Sequence, residues 1–103
     1  AIGDVVVIPM ADGKPLPKAG IFAEAEGEVV AERIAAVFAG GESQAAFAGE
    51  GSCYLEVGNG EAMLVQGRFL DTPAPQVTLL GPSRAYLEEK RAFETERLQK
   101  WFG

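Results

Sequence analysis

Apolar side chains recur at Phe22, Ala25, Val29, Val30, Ile34, Val37 and Phe38, spacings of three and four residues that stack on one side of an α-helix. The pattern predicts a helix over residues 21–38. Alanines fill much of the remaining circumference, and a helix apolar on most sides is expected to be covered on most sides. Gly40-Gly41 stands where such a helix should stop. A second helical pattern closes the chain. Tyr86, Leu87, Phe93, Leu98 and Trp101 fall within one half of its circumference, and Arg84, Glu88, Glu89, Arg91, Glu94 and Glu96 fall mostly outside it. Pro82-Ser83 opens this helix, which should run to about Lys100.

Between the helices the period shortens. Ser52 to Val57, Ala62 to Leu70 and Gln76 to Leu80 read as strands. Gly58-Asn59-Gly60 joins the first two as a tight hairpin, and Asp71-Thr72-Pro73-Ala74-Pro75 joins the second to the third. Residues 42–50 read as a loop. Ahead of the first helix, Val5-Val6-Val7-Ile8 is a β-branched run stopped by Pro9, expected to form a short strand. An extended loop with an Asp12-Gly13 turn, stiffened by Pro15 and Pro17, should follow. No internal repeat or low-complexity segment interrupts the series. The expected fold class is α+β: a helix, a three-stranded antiparallel β-meander and a C-terminal helix.

Composition narrows the function classes. The chain has 103 residues, enough for one small domain with a modest core. A net charge of −6 argues against nucleic acid as a partner, because phosphate binding needs clustered Lys and Arg. Cys53 is the one cysteine, so an internal disulfide framework is excluded, and a reducing, cytoplasmic-side location is expected. With no histidine, a His-dependent triad within the chain is excluded, and a zinc site of the usual N and S ligands is not expected. No signal peptide is visible, and no apolar run reaches the roughly 20 residues that cross a bilayer. The opening on Ala1, without Met and directly into an apolar run, is expected of a piece cut from a longer chain.

A series of short motifs adds a further expectation. Ala1-Ile2-Gly3-Asp4 is followed by Pro15-Leu16-Pro17-Lys18-Ala19-Gly20 and then by Phe22-Ala23-Glu24-Ala25-Glu26-Gly27-Glu28-Val29-Val30. This order resembles the second flavin motif of the two-dinucleotide-binding-domain flavoproteins, the pyridine nucleotide-disulfide oxidoreductase superfamily. The Pro-Lys-Ala-Gly and Phe-Ala-Glu elements look most like the sulfide:quinone oxidoreductase branch. The resemblance continues through Cys53-Tyr54-Leu55-Glu56, Pro82-Ser83, Lys90, Phe93-Glu94 and Trp101-Phe102-Gly103, and so spans essentially the whole chain. It implies that residues 1–40 are the end of an FAD-binding domain and that residues 41–103 are a C-terminal meander plus helix.

The resemblance also implies roles. The Asp matching Asp4 would accept a hydrogen bond from a ribityl hydroxyl of FAD, and Gly3 before it would let the cofactor approach the backbone. The helix start at Ala19-Gly20-Ile21 would face the pyrimidine side of the flavin. Its free N–H groups and partial positive charge there would stabilise the reduced anion. Lys18 either adds a full charge or is a solvated loop lysine. Phe22 either walls an apolar quinone pocket or is a core aromatic. Cys53 matches the second of two redox cysteines in the sulfide-oxidising members, where a thiolate attacks sulfur and passes electrons to flavin. The competing reading is a small buried strand residue, and the partner cysteine would lie upstream. Leu98, Trp101 and Phe102 either dip into a membrane interface or pack on the meander.

The implied function is that of a C-terminal fragment of an FAD-dependent oxidoreductase, sulfide:quinone oxidoreductase-like. It would move electrons from a reduced sulfur donor through FAD to quinone. An NADH-dependent flavoprotein of the same superfamily is the close alternative. The fragment alone lacks the Gly-x-Gly-x-x-Gly turn that holds the FAD pyrophosphate and is expected to be inactive. In isolation it should act as a packing, dimerisation or membrane-docking domain and form a homo-oligomer through its apolar helix. The expected location is cytoplasmic or peripheral on a membrane surface.

Overall fold

The computed structural model describes the chain throughout, Ala1–Gly103. The elements run α1 (Gly20–Phe38), β1 (Glu50–Gly58), β2 (Glu61–Arg68), β3 (Gln76–Ser83) and α2 (Arg84–Phe102). The sheet is antiparallel with β2 in the middle. This is the expected α+β arrangement of helix, meander and helix.

Local chemistry sets the element ends. The Gly40 amide bonds the Val37 carbonyl at 3.0 Å and the Gly41 amide bonds that of Ala36 at 2.9 Å, with Gly40 at φ 77°. This pair of bonds satisfies the last carbonyls of α1 and turns the chain out of the helix. Asn59 and Gly60 take φ values of 54° and 72°, the mirror-image turn that matches strand twist and pins the β1–β2 register. Ser83 accepts the Ala85 amide at 3.1 Å and so caps α2.

The chain divides into two compact units. The first unit is Ala1–Gly51 with Gly67–Val77, and the second is Ser52–Gln66 with Thr78–Gly103. Loop 42–49 and the β2–β3 connection therefore belong with α1.

In the first unit the core is Leu16, Phe22 and Phe69. Phe22 meets Phe69 edge-on with ring centroids 5.0 Å apart, and meets Phe47 edge-on at 6.1 Å. Such pairs add about 0.5–1.5 kcal/mol beyond burial. Loop 42–49 is tied to α1 by polar bonds. Arg33 Nε donates to the Ala45 carbonyl at 2.6 Å, and the Ser43 hydroxyl donates to Glu32 at 2.5 Å. In the second unit Ala62, Leu64 and Leu87 are buried. The Tyr54 hydroxyl donates to Glu89 at 3.1 Å and Lys90 pairs with Glu56, so β1 and α2 are also joined by side chains.

One expectation is corrected. Val5–Ile8 is not a strand of the sheet. Gly3–Val5 forms a single 3₁₀ turn, and the segment after it is extended but pairs only with its own return arm. The Leu16 amide bonds the Ile8 carbonyl and the Met10 amide bonds that of Lys14, both at 2.8 Å. Pro9 and Pro15 face each other in that ribbon without an N–H between them, so the ladder cannot extend. Helix α1 is covered along part of its length. Only Phe22 and Glu26 of this helix are buried, and its C-terminal half presents Val30, Ile34, Val37 and Phe38 to solvent.

Candidate functional site

The start of α1 is built without a cap. Ala19 is extended before the helix and offers no side chain to bond, and no acidic residue lies in the first turn. The amides of Phe22 and Ala23 turn back to the Ala19 carbonyl at 3.0 and 3.2 Å. Gly20 and Ile21 thus present the outermost N–H groups of the helix, where the partial positive charge of its dipole concentrates.

The Gly3–Val5 turn sits on the same helix. Gly3 takes φ 73°, the left-handed region, and a β-carbon on it would stand 3.3 Å from Cβ of Ala23. Glycine thus meets two demands at once, a positive φ and a close approach to a helix. The Gly3 amide donates to Glu26 Oε2 at 2.7 Å. Glu26 is 7% exposed, the only charged side chain buried in the chain. The Val6 amide closes the turn on the Gly3 carbonyl at 3.1 Å, and the Lys18 ammonium donates to the Val6 carbonyl. Asp4, between these fixed points, is exposed.

Gly3, Asp4, Lys18, Phe22 and Glu26 all line one small cavity of about 10 Å³. That is room for about one water molecule. A flavin ring cannot enter it. What this unit offers is an edge: an exposed carboxylate, a glycine turn and uncapped helix amides that a ring could lie against from outside.

Of the residues singled out by sequence, Gly3, Asp4, Lys18 and Phe22 are thus brought together, with Ala19 and Gly20 at the helix start beside Lys18 in the chain. Lys18 is exposed and engaged with the backbone of the turn. Phe22 has its ring in the core, with Phe47 and Phe69 against it and 3% exposure, so it is a core aromatic here and walls only the small cavity. Cys53 lies on β1 in the second unit, half-buried. Burial pushes its thiol above the ordinary range, which disfavours the thiolate.

Glu26 escaped the sequence reading as a functional residue. The signal was present in its spacing, four residues after Phe22 and so on the same buried face of α1. An open groove of about 370 Å³ lies on another face of the helix, lined by Ala25, Val29 and Phe47 with Glu28, Glu32 and Glu50. Ala25, Glu28 and Val29 of the Phe22–Val30 motif lie there, but none of the residues given a role by sequence does. No set of three or more His, Cys, Asp or Glu side chains could hold a metal ion. No helix is long and apolar enough to cross a membrane. Compared with models of protein families, with curated proteins and with solved structures, the chain matches none.

Proposed function

We propose that this chain is the C-terminal piece of an FAD-dependent oxidoreductase and supplies one edge of its flavin site. The observation that carries the reading is the meeting of Gly3-Asp4 with the first turns of α1, two segments that the chain separates by an extended loop. In this reading Asp4 accepts a hydrogen bond from a ribityl hydroxyl, and the amides at Gly20 and Ile21 face the ring where negative charge develops on reduction. Bound FAD would supply the electron-carrying chemistry, and the chain's own share is to orient the cofactor and bias its charge. The open exposure of Asp4 fits a group that waits for a partner from outside the unit.

The donor and acceptor follow the resemblance to sulfide:quinone oxidoreductases, with a reduced sulfur compound and quinone as substrates. One observation favours the NADH-dependent alternative. A thiol held protonated by burial, as at Cys53, is a poor nucleophile toward sulfur. The exposed apolar half of α1 supports the further proposal that the isolated chain self-associates.

The test is the native gene product. Its purified form should be yellow, and the sequence upstream of Ala1 should carry Gly-x-Gly-x-x-Gly after a strand. Asp4→Ala should lower flavin retention on gel filtration at least tenfold. A colourless product without those glycines sinks the reading.

A further inference from the structure

We propose that Glu26 is the positioning residue of this site: its buried carboxylate takes the Gly3 amide and thereby fixes where Asp4 points. The claim about Asp4 rests on the flavin reading above, and the latch between Glu26 and Gly3 does not.

Burying a carboxylate is unfavourable unless strong hydrogen bonds replace its water. Glu26 is buried in the second turn of α1, directly below the core residue Phe22, and its bond to Gly3 is short at 2.7 Å. A charge-assisted bond of this kind is about twice as strong as a neutral one. It joins residues 23 positions apart. The contact surface around it is matched as well. Gly3 lies against Ala23, one turn above Glu26, where a β-carbon would make a contact tighter than usual. The turn is therefore held at three places: Gly3 on Glu26, Gly3 on Val6, and the Val6 carbonyl on Lys18. Asp4 is the residue bracketed by these bonds. A carboxylate that must meet one hydroxyl at hydrogen-bond distance has to be held within a fraction of an ångström, and supporting residues of this type provide that.

The experiment is ¹⁵N NMR of the full chain with Glu26→Gln and Glu26→Leu. The Gly3 amide should be protected from exchange in the unsubstituted chain. Glu26→Gln keeps a neutral acceptor and should retain most of the protection. Glu26→Leu should raise Gly3 exchange about tenfold or more, while the Phe69 amide, bonded to the Gly49 carbonyl, stays protected. Exchange at Gly3 within twofold of the unsubstituted chain in Glu26→Leu overturns the latch. If Glu26→Leu unfolds the unit, the unsubstituted chain decides: a Gly3 amide that exchanges there as fast as an unbonded one overturns it too. A flavin arm on the native gene product separates the two claims. Loss of flavin retention in Asp4→Ala and Glu26→Leu, restored in Glu26→Gln, supports both. Loss in Asp4→Ala alone overturns the positioning role and leaves the flavin reading standing. No loss in Asp4→Ala removes the flavin reading, and the NMR result then stands for the latch alone.

Discussion

Gly51 lies so close to the ring of Phe22 that a β-carbon built on it would stand 2.5 Å from Phe22 Cε1. Phe69 and Phe47 pack against the same ring, so its room to shift is limited. Gly51→Ala should therefore overpack the first unit, at about 1–3 kcal/mol. For a domain of this size the melting temperature should fall by roughly 4–8 °C per kcal/mol. Gly20→Ala is the matched control, since nothing lies within 4 Å of its added β-carbon. Its melting temperature should be unchanged or slightly raised. Calorimetry showing equal stability for the two variants would refute this packing account.

At the other helix the determinant is a single hydroxyl. Ser83 accepts the Ala85 amide at 3.1 Å and is the only side-chain cap at the start of α2. Ser83→Ala should destabilise the chain by about 0.5–2 kcal/mol, and Ser83→Asp should come close to restoring it. Urea titration is the measurement, with the midpoint moving and the slope unchanged. A midpoint that does not move for Ser83→Ala would mean that α2 is held by packing alone.

These two sites also mark what could be read without a structure. Ser83 after Pro82, Gly40 after Phe38 and Asn59-Gly60 between alternating runs each act through their own backbone, so the α+β order was legible in the chain. Val5–Ile8 was not. A β-branched run looks the same whether or not a neighbouring strand exists, and here the prolines at 9, 15 and 17 leave it only a short return arm. The candidate site was half legible. Gly3-Asp4 and the start of α1 stood out as motifs, and the spacing of Glu26 from Phe22 puts it on the buried face, yet nothing local names its partner amide, which is 23 residues away. The exposed half of α1 agrees with an apolar helix expected to seek a partner outside this chain, although periodicity alone reports which side of a helix is apolar and leaves open what covers it.

Cys53 gives a prediction with a definite sign. Its thiol is pushed up by burial alone. At pH 7 it should react with iodoacetamide more slowly than a free thiol, and the rate, which follows the thiolate fraction, should level off only at a pH above about 8.5, the ordinary cysteine value. The same shift links to stability. A folded-state value above the unfolded one means a contribution fully present below the unfolded thiol range and lost as pH rises through the folded value. Cys53→Ala should accordingly flatten part of the alkaline loss of stability. Mass-spectrometric rate–pH profiles check the first statement. A full-rate plateau already below pH 7 would return Cys53 to the role of sulfur nucleophile.

The last prediction concerns the uncovered end of α1. Ile34, Val37 and Phe38 are 52%, 68% and 88% exposed, and with Val30 they continue one helical stripe. Exposed apolar stripes of this kind are where chains find partners, because every buried Å² of apolar surface contributes about 25 cal/mol. They lie outside the buried core, so charges can be placed there with little effect on folding. The chain should therefore self-associate, with a mass above that of one chain that rises with concentration in light scattering. Ile34→Glu combined with Phe38→Glu should give a monomer whose melting temperature lies near that of the unsubstituted chain extrapolated to dilution. A strict monomer at every concentration without the substitutions would show that this stripe tolerates water and that self-association is not its purpose.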